Sequence, residues 1–184
     1  AEVGPGDEPV EWLDDDGEVI AVVSRARMRR ENLRHRSCSV VVRSSDGRLL
    51  VHRRSTTKDL LPGWWDVCAG GVLAVGEPPA DGAVRELAEE LGVHVDPGAL
   101  RPLGVGSFDD ETSRELSTVF EVTHDGPFHF SDGEVSEVRW VDPISLDAMM
   151  ASDRFLPTCR ALVLPLVAGF GRPADGQDDP GAVS

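Results

Sequence analysis

Three things are scarce in this chain, and each shortage excludes a class of protein. There is no long uninterrupted apolar run. The longest apolar stretch, from Ala161 to Phe170, is broken by Pro165 and is too short to cross a bilayer as a helix. No membrane role is therefore expected. Cysteine is also scarce: Cys38, Cys68 and Cys159 are odd in number, widely separated and without metal or redox spacing. Reduced, buried thiols in a cytoplasmic protein are the expectation. The first residues agree with that location, because they are acidic, contain Pro and Gly, and do not resemble a secretory signal. Finally, basic residues are few. With 18 Lys+Arg against 33 Asp+Glu, the net charge is −15. Such a chain does not hold nucleic acid polymers by long-range attraction. A small phosphorylated molecule is still an eligible ligand where metal ions supply the positive charge.

The 184 residues suit one domain, long enough to bury roughly 70% of the unfolded surface. Residues 1–9 read as a flexible tail and residues 10–170 as the domain. Residues 171–184, rich in Gly, Pro and Asp, read as a disordered tail. Val10 to Leu13 and Glu18 to Val23 flank Asp14-Asp15-Asp16-Gly17, a hairpin signal. The triple aspartate lacks the distal glutamate of a calcium loop and reads as a solvated turn. Ser24 caps a basic helix to Leu33. His35 to Arg43 and Arg48 to Arg53 follow as paired strands turning at Asp46-Gly47, with Val40, Val42, Leu49 and Val51 in the core. Further strands are expected at Asp66 to Val75, Leu103 to Phe108, Glu115 to Thr123 and Glu134 to Val141. A short helix runs from Pro143 to Met150, and an apolar helix from Phe155 to Phe170, interrupted or kinked at Pro165. This order predicts an α/β (α+β) fold, a mixed sheet covered on both faces.

The stretch that carries chemistry runs from Gly71 to Val93. Pro78 and Pro79 suit a first helical turn, and Gly92 suits a helix C-cap. Ala83, Leu87 and Leu91 recur at spacing four and define the packed face. Glu86, Glu89 and Glu90 lie three and four apart, so their carboxylates share one side of the helix. Like charges there repel, and a hard divalent cation would offset the repulsion. Arg85 reaches Glu89 along the helix or Glu77 in the preceding loop. Upstream, Arg53, Arg54 and Lys58 form a basic cluster suited to phosphate. Trp64, Trp65 and Phe108 serve either to stack on a planar group or to fill the core.

Gly71, Glu77, Arg85, Glu86, Leu87, Glu89, Glu90, Gly92 and Val93 together resemble the Nudix box without a departure. That resemblance implies an α/β/α sandwich and a hydrolase acting on a nucleoside diphosphate linked to another group. It implies that Glu86, Glu89 and Glu90 hold Mg2+ or Mn2+, with the Gly71 carbonyl as a further ligand. Arg85 and Glu77 then tie the loop to the helix. On this reading a water attacks one phosphorus, and a carboxylate takes its proton. The candidates are Glu86 and Glu89 in the box, and Glu115, Glu134 or Glu137 outside it.

Three more stretches, Leu33 to Ser37, Lys58 to Asp66 and Glu134 to Trp140, resemble the isopentenyl-diphosphate isomerase-like branch of that superfamily. The isomerase itself carries Cys-Gly-His-Pro where this chain has Cys68-Ala69-Gly70-Gly71. His35 and Glu115 match two isomerase metal ligands, and Ser113 stands where another glutamate would be. The complete box favours hydrolysis over isomerisation, and over a non-catalytic ligand-binding module. A homodimer is compatible with this reading, although no stretch of the sequence defines an interface.

Overall fold

A computed structural model describes residues 4, 6–57, 60–130 and 133–170. Its central strand, β3 (His35–Arg43), is buried on both faces. Val40 and Val42 enter a core shared with Leu87 and Leu91 of α2 (Pro79–Leu91), whereas Val41 enters a second core. The same division runs through β4 (Leu49–Arg54): Leu50 faces the α2 side, Leu49 and Val51 the other. The four residues expected in the core are therefore all buried, but on two sides of the sheet. Strands apolar on both faces belong to sheets covered on both faces. Here α2 covers one face. Leu146 of α3 (Pro143–Ser152) and the segment around Cys159 to Val167 cover the other.

The sheet is mixed. β3 runs parallel to β8 (Arg114–Thr123), with His35 opposite Glu115, and antiparallel to β6 (Ala69–Val72). β4 pairs antiparallel with β9 (Val135–Val141) and β5 (Trp65–Asp66), while β7 (Arg101–Asp109) pairs antiparallel with β8. The expected β3–β4 hairpin keeps its turn, but it pairs only at Arg43 and Leu49. A strand has two edges, and beyond that point β3 gives both of its edges to β6 and β8.

Ahead of this sheet, β1 (Pro9–Leu13) and β2 (Val19–Ser24) form the expected hairpin, which joins β3 at Trp12 and His35. Ser24 caps α1 (Arg25–Arg30), its Oγ accepting the Arg27 N–H at 3.2 Å. The helix stops short of the expected Leu33 because Asn32 takes a positive φ of 48°. Val10, Val23 and Met28 make a small third core beneath it.

Two expectations are corrected. The single strand Asp66 to Val75 is two pieces: Asp66 Oδ1 accepts the Cys68 N–H at 3.2 Å, which breaks the ladder between β5 and β6. The C-terminal helix is interrupted at Pro165, as expected, but its pieces are not α-helical. Cys159–Val163 is a π turn and Leu164–Leu166 a 3-10 turn around Pro165, which has no N–H to donate. Among the described residues, no helix is long and apolar enough to cross a membrane.

Candidate active site

Helix α2 begins on Pro78 and Pro79 and ends at Gly92, whose φ of 65° lets its N–H return to Ala88 O. Ala83, Leu87 and Leu91 are fully packed against the sheet. That packing rotates Glu86 and Glu90 to the edge of the core, where they are 9% and 8% exposed. The Glu89 side chain is 54% exposed. Arg85 ties these groups to the loop. It donates two hydrogen bonds to Glu77, at 3.0 and 3.1 Å, and one to Glu86 Oε1 at 2.7 Å. It also lies 3.5 Å from Glu89 Oε2. Glu77 in turn accepts the Ala74 N–H at 2.9 Å.

The charges respond to these contacts. Arg85 holds Glu77 below the ordinary carboxylate range. Burial pushes Glu86 up, against the pull of Arg85. Gly71 lies directly against Glu86: a Cβ there would stand 2.5 Å from Glu86 Oε1. Cys38 donates to the Gly71 carbonyl at 3.8 Å, and burial pushes its thiol up to about 12.

Gly71, Glu86, Glu89 and Glu90 all line one cavity of about 510 Å³. His35, Ser37 and Glu115 from the β3–β8 pair line it too, with Arg25 and Arg29 from α1, Arg54 from β4, and Phe108. His35 Nδ1 lies 3.0 Å from Leu33 O, and burial keeps its pKa below the ordinary value. Ser37 Oγ donates to Glu115 Oε2 at 2.6 Å. Beneath Glu90, the buried His52 has Nε2 3.9 Å from Glu90 Oε2.

The donor set suits a hard divalent cation: three carboxylates and a backbone carbonyl, all oxygen, with Glu86 desolvated beside like charge. Among the described residues, however, no three Asp, Glu, His or Cys side chains are gathered closely enough to hold an ion as they stand. Arg85 occupies Glu86 and approaches Glu89, so the expected convergence of all three glutamates requires these side chains to turn from Arg85.

Other expected site residues are dispersed. Arg54 lines the cavity and spends Nε and Nη2 on Leu60 O, at 3.2 and 3.1 Å. Arg53 lies off the cavity lining and donates to Gly63 O at 2.9 Å. Lys58 lies outside the described residues. Glu137, the third carboxylate expected to be catalytic, is not brought to this cavity. It lies off the lining, opposite Arg53 on the β4–β9 ladder, and its Oε1 is held by Arg139 at 2.6 Å. Trp65 is core, 6.3 Å from the Phe155 ring, and neither tryptophan lines the cavity. Cys68 is buried as a small apolar group with its thiol pushed well up. Sequence reasoning read α1 only as a basic helix and missed its arginines as site residues. Their spacing of four was the available signal.

A model of the NUDIX domain matches residues 33–159. Across 174 residues the chain is 40% identical to the uncharacterized Nudix hydrolase YfcD of Salmonella typhi, covering 92% of each. It is 36% identical over 152 residues to the uncharacterized Nudix hydrolase PA4841 of Pseudomonas aeruginosa, covering 83% of this chain and 87% of that one. Among solved structures it resembles DR0079 from Deinococcus radiodurans, with a TM-score of 0.68 and 28% identity over 82% of this chain and 94% of that one.

Proposed function

The chain belongs to the Nudix family of hydrolases, and we propose that it is a metal-dependent enzyme that cleaves the diphosphate linkage of a small molecule. The observation that carries this reading is the meeting of Gly71, Glu86, Glu89 and Glu90 on one cavity that also contains arginines. A divalent cation, Mg2+ or Mn2+, held by these four residues would neutralise phosphate oxygens and acidify the attacking water. Arg54 binds the diphosphate through its remaining nitrogen and stabilises charge on the departing phosphate. Glu115 is the carboxylate we assign to the water's proton. Its side chain is held by the Ser37 and Ser113 hydroxyls, at 2.6 and 3.4 Å. Glu86 and Glu89 instead face the guanidinium of Arg85 and are assigned to the cation. The isomerase reading has no comparable support: Cys68 is buried with its thiol pushed well up, and it lines only a smaller adjoining pocket that shares Gly71 and Glu115.

The test is a panel of diphosphate compounds assayed for phosphate release with Mg2+ and with EDTA. Glu90→Gln should lower turnover by about 1000-fold, the scale of several kcal/mol of lost charge stabilisation. Glu115→Gln should lower kcat with KM nearly unchanged. Metal-independent release, or full activity in Glu90→Gln, would overturn the assignment.

A further inference from the structure

We propose that Arg25 and Arg29 of α1 are a phosphate-binding pair, gripping the diphosphate oxygens that the α2 carboxylates and their cation leave uncovered. The N-terminal hairpin and α1 thereby become a substrate-binding element. They precede residues 33–159, the part matched by the family domain. This rests on the hydrolase reading in one respect, that a diphosphate enters the cavity.

Arg25 carries the argument. Its Nε is buried with no hydrogen-bond partner among the described residues. Its guanidinium forms no close ion pair among them, in a chain with 33 Asp+Glu, although its charge reaches Glu8 and Glu86. Other arginines find one: Arg27 and Arg30 hold Glu31, Arg85 holds Glu77, and Arg114 holds Asp109. Arg34 has an equally orphaned Nε, but its Nη2 holds Asp109. A buried donor without an acceptor destabilises the fold, so its presence in a cavity wall calls for an acceptor that arrives from outside. For a guanidinium, an anionic acceptor rich in oxygen gives the strongest hydrogen bonds. A diphosphate fits, since a guanidinium takes phosphate oxygens in its planar fork.

The placement is built. Arg25 and Arg29 are four apart and both line the cavity, so α1 turns one edge toward it. A helix of six residues is not stable alone. Here the Ser24 cap and the core of Val10, Val23 and Met28 fix it to the hairpin, and Trp12 opposite His35 fixes the hairpin to the sheet. The charge of Arg25 also reaches Glu86 across the cavity. Arg54, from β4, and Arg85, from α2, are the other two guanidinium groups in the lining. One cation does not neutralise a diphosphate, and these side chains supply the remaining positive charge.

The probe is methylenediphosphonate, a diphosphate analogue with no hydrolysable bridge, titrated calorimetrically with Mg2+ present. Arg25→Gln together with Arg29→Gln should weaken binding about 10- to 100-fold, the range for losing hydrogen bonds to a charged group. Arg25→Lys should restore part of the affinity, because it keeps the charge. Arg30→Gln, at an exposed arginine paired with Glu31, should bind as the wild type does. Thermal melts confirm that each variant is folded. On any substrate found with the panel, the double variant should raise KM by a similar factor while kcat changes only a few-fold. Wild-type affinity in the double variant would overturn the inference and leave hydrolysis intact, provided Glu90→Gln still abolishes turnover. Arginine-dependent diphosphonate binding without turnover of any compound would instead uphold the inference and overturn the hydrolase reading.

Discussion

Helices α2 and α1 both bring charge to the same cavity, and they are held there in opposite ways. α2 spans 13 residues and rests on Ala83, Leu87 and Leu91, all packed into the main core. Its carboxylates are restrained by Arg85, which also reaches the preceding loop through Glu77. α1 spans 6 residues and buries only Met28, in a core of three buried residues beneath the hairpin. Its Arg25 makes no close ion pair among the described residues, and its charge reaches Glu8 and Glu86 only at longer range. The acidic helix is thus positioned by packing and by mutual neutralisation, which suits groups that must keep a fixed relation to a metal. The basic helix depends on a local scaffold that can change without disturbing the sheet. Chemistry is anchored to the core of the fold, and recognition to an attachment at its edge.

Truncating each anchor sets the two helices against each other. Leu87→Ala should cost about 3 kcal/mol of unfolding free energy, because the site is fully buried against the sheet. Met28→Ala should cost less, about 2 kcal/mol, because its core is small and near the surface. Urea unfolding measures both. The kinetic consequences should differ more than the stabilities: Met28→Ala raises KM by loosening the arginines, while Leu87→Ala lowers kcat. Equal effects on KM and kcat from both variants would break the division of labour.

The acidic side can be perturbed without touching a carboxylate. Gly71→Ala would place a methyl 2.5 Å from Glu86 Oε1. The obstructing atom is the end of a side chain, so the carboxylate swings aside and the strand survives. The neighbouring Gly70 is different, since a Cβ there would meet the fixed Cys38 carbonyl at 2.2 Å. Gly71→Ala should therefore weaken Mg2+ affinity about tenfold, or about 1.4 kcal/mol, with little change in metal-free stability. The gain in Tm on adding Mg2+ reports this directly. An unchanged gain would mean that Glu86 does not hold the ion.

The acidic helix was legible in the sequence because each of its constraints is local. Spacing four marks the packed face, proline and glycine mark the ends, and Arg85 lies beside Glu86 and one turn from Glu89. The limits of β3 were legible for the same reason. What escaped depends on contacts distant in sequence. Alternation placed Val40 and Leu49 in one core, but only the pairing of β3 with β8 and of β4 with β9 shows that they face opposite layers. Glu137 looked as eligible as Glu115, and only the folded sheet shows that Glu115 lines the cavity and Glu137 does not. The break at Pro165 was legible in the C-terminal segment, but its apolar spacing does not reveal that π and 3-10 turns replace the α-helix there. The role of α1 was hidden because a basic helix reads as solvated unless the cavity beside it is known.

The smallest predicted effect lies at His35, which lines the same cavity as both helices. It is buried, its Nδ1 pairs with the Leu33 carbonyl, and burial holds its pKa below the ordinary value, against the pull of that carbonyl and of Glu115. The unfolded chain therefore takes up a proton near pH 6.5 that the folded chain refuses. The stability contributed by neutral His35 is full above that pH and falls as the pH drops below it. One pH unit below the ordinary value, the loss from this residue is at most about 1.4 kcal/mol. Urea unfolding at pH 7.5 and 5.5 should show a steeper acid loss for the wild type than for His35→Gln. Because β1 joins β3 at Trp12 and His35, protonation should loosen the scaffold of α1 before that of α2. Diphosphonate binding should accordingly weaken with acid more than Mg2+ binding does in the wild type, and this excess should vanish in His35→Gln. An identical acid response in the two proteins would show that His35 is neutral to folding and that the two helices share one support.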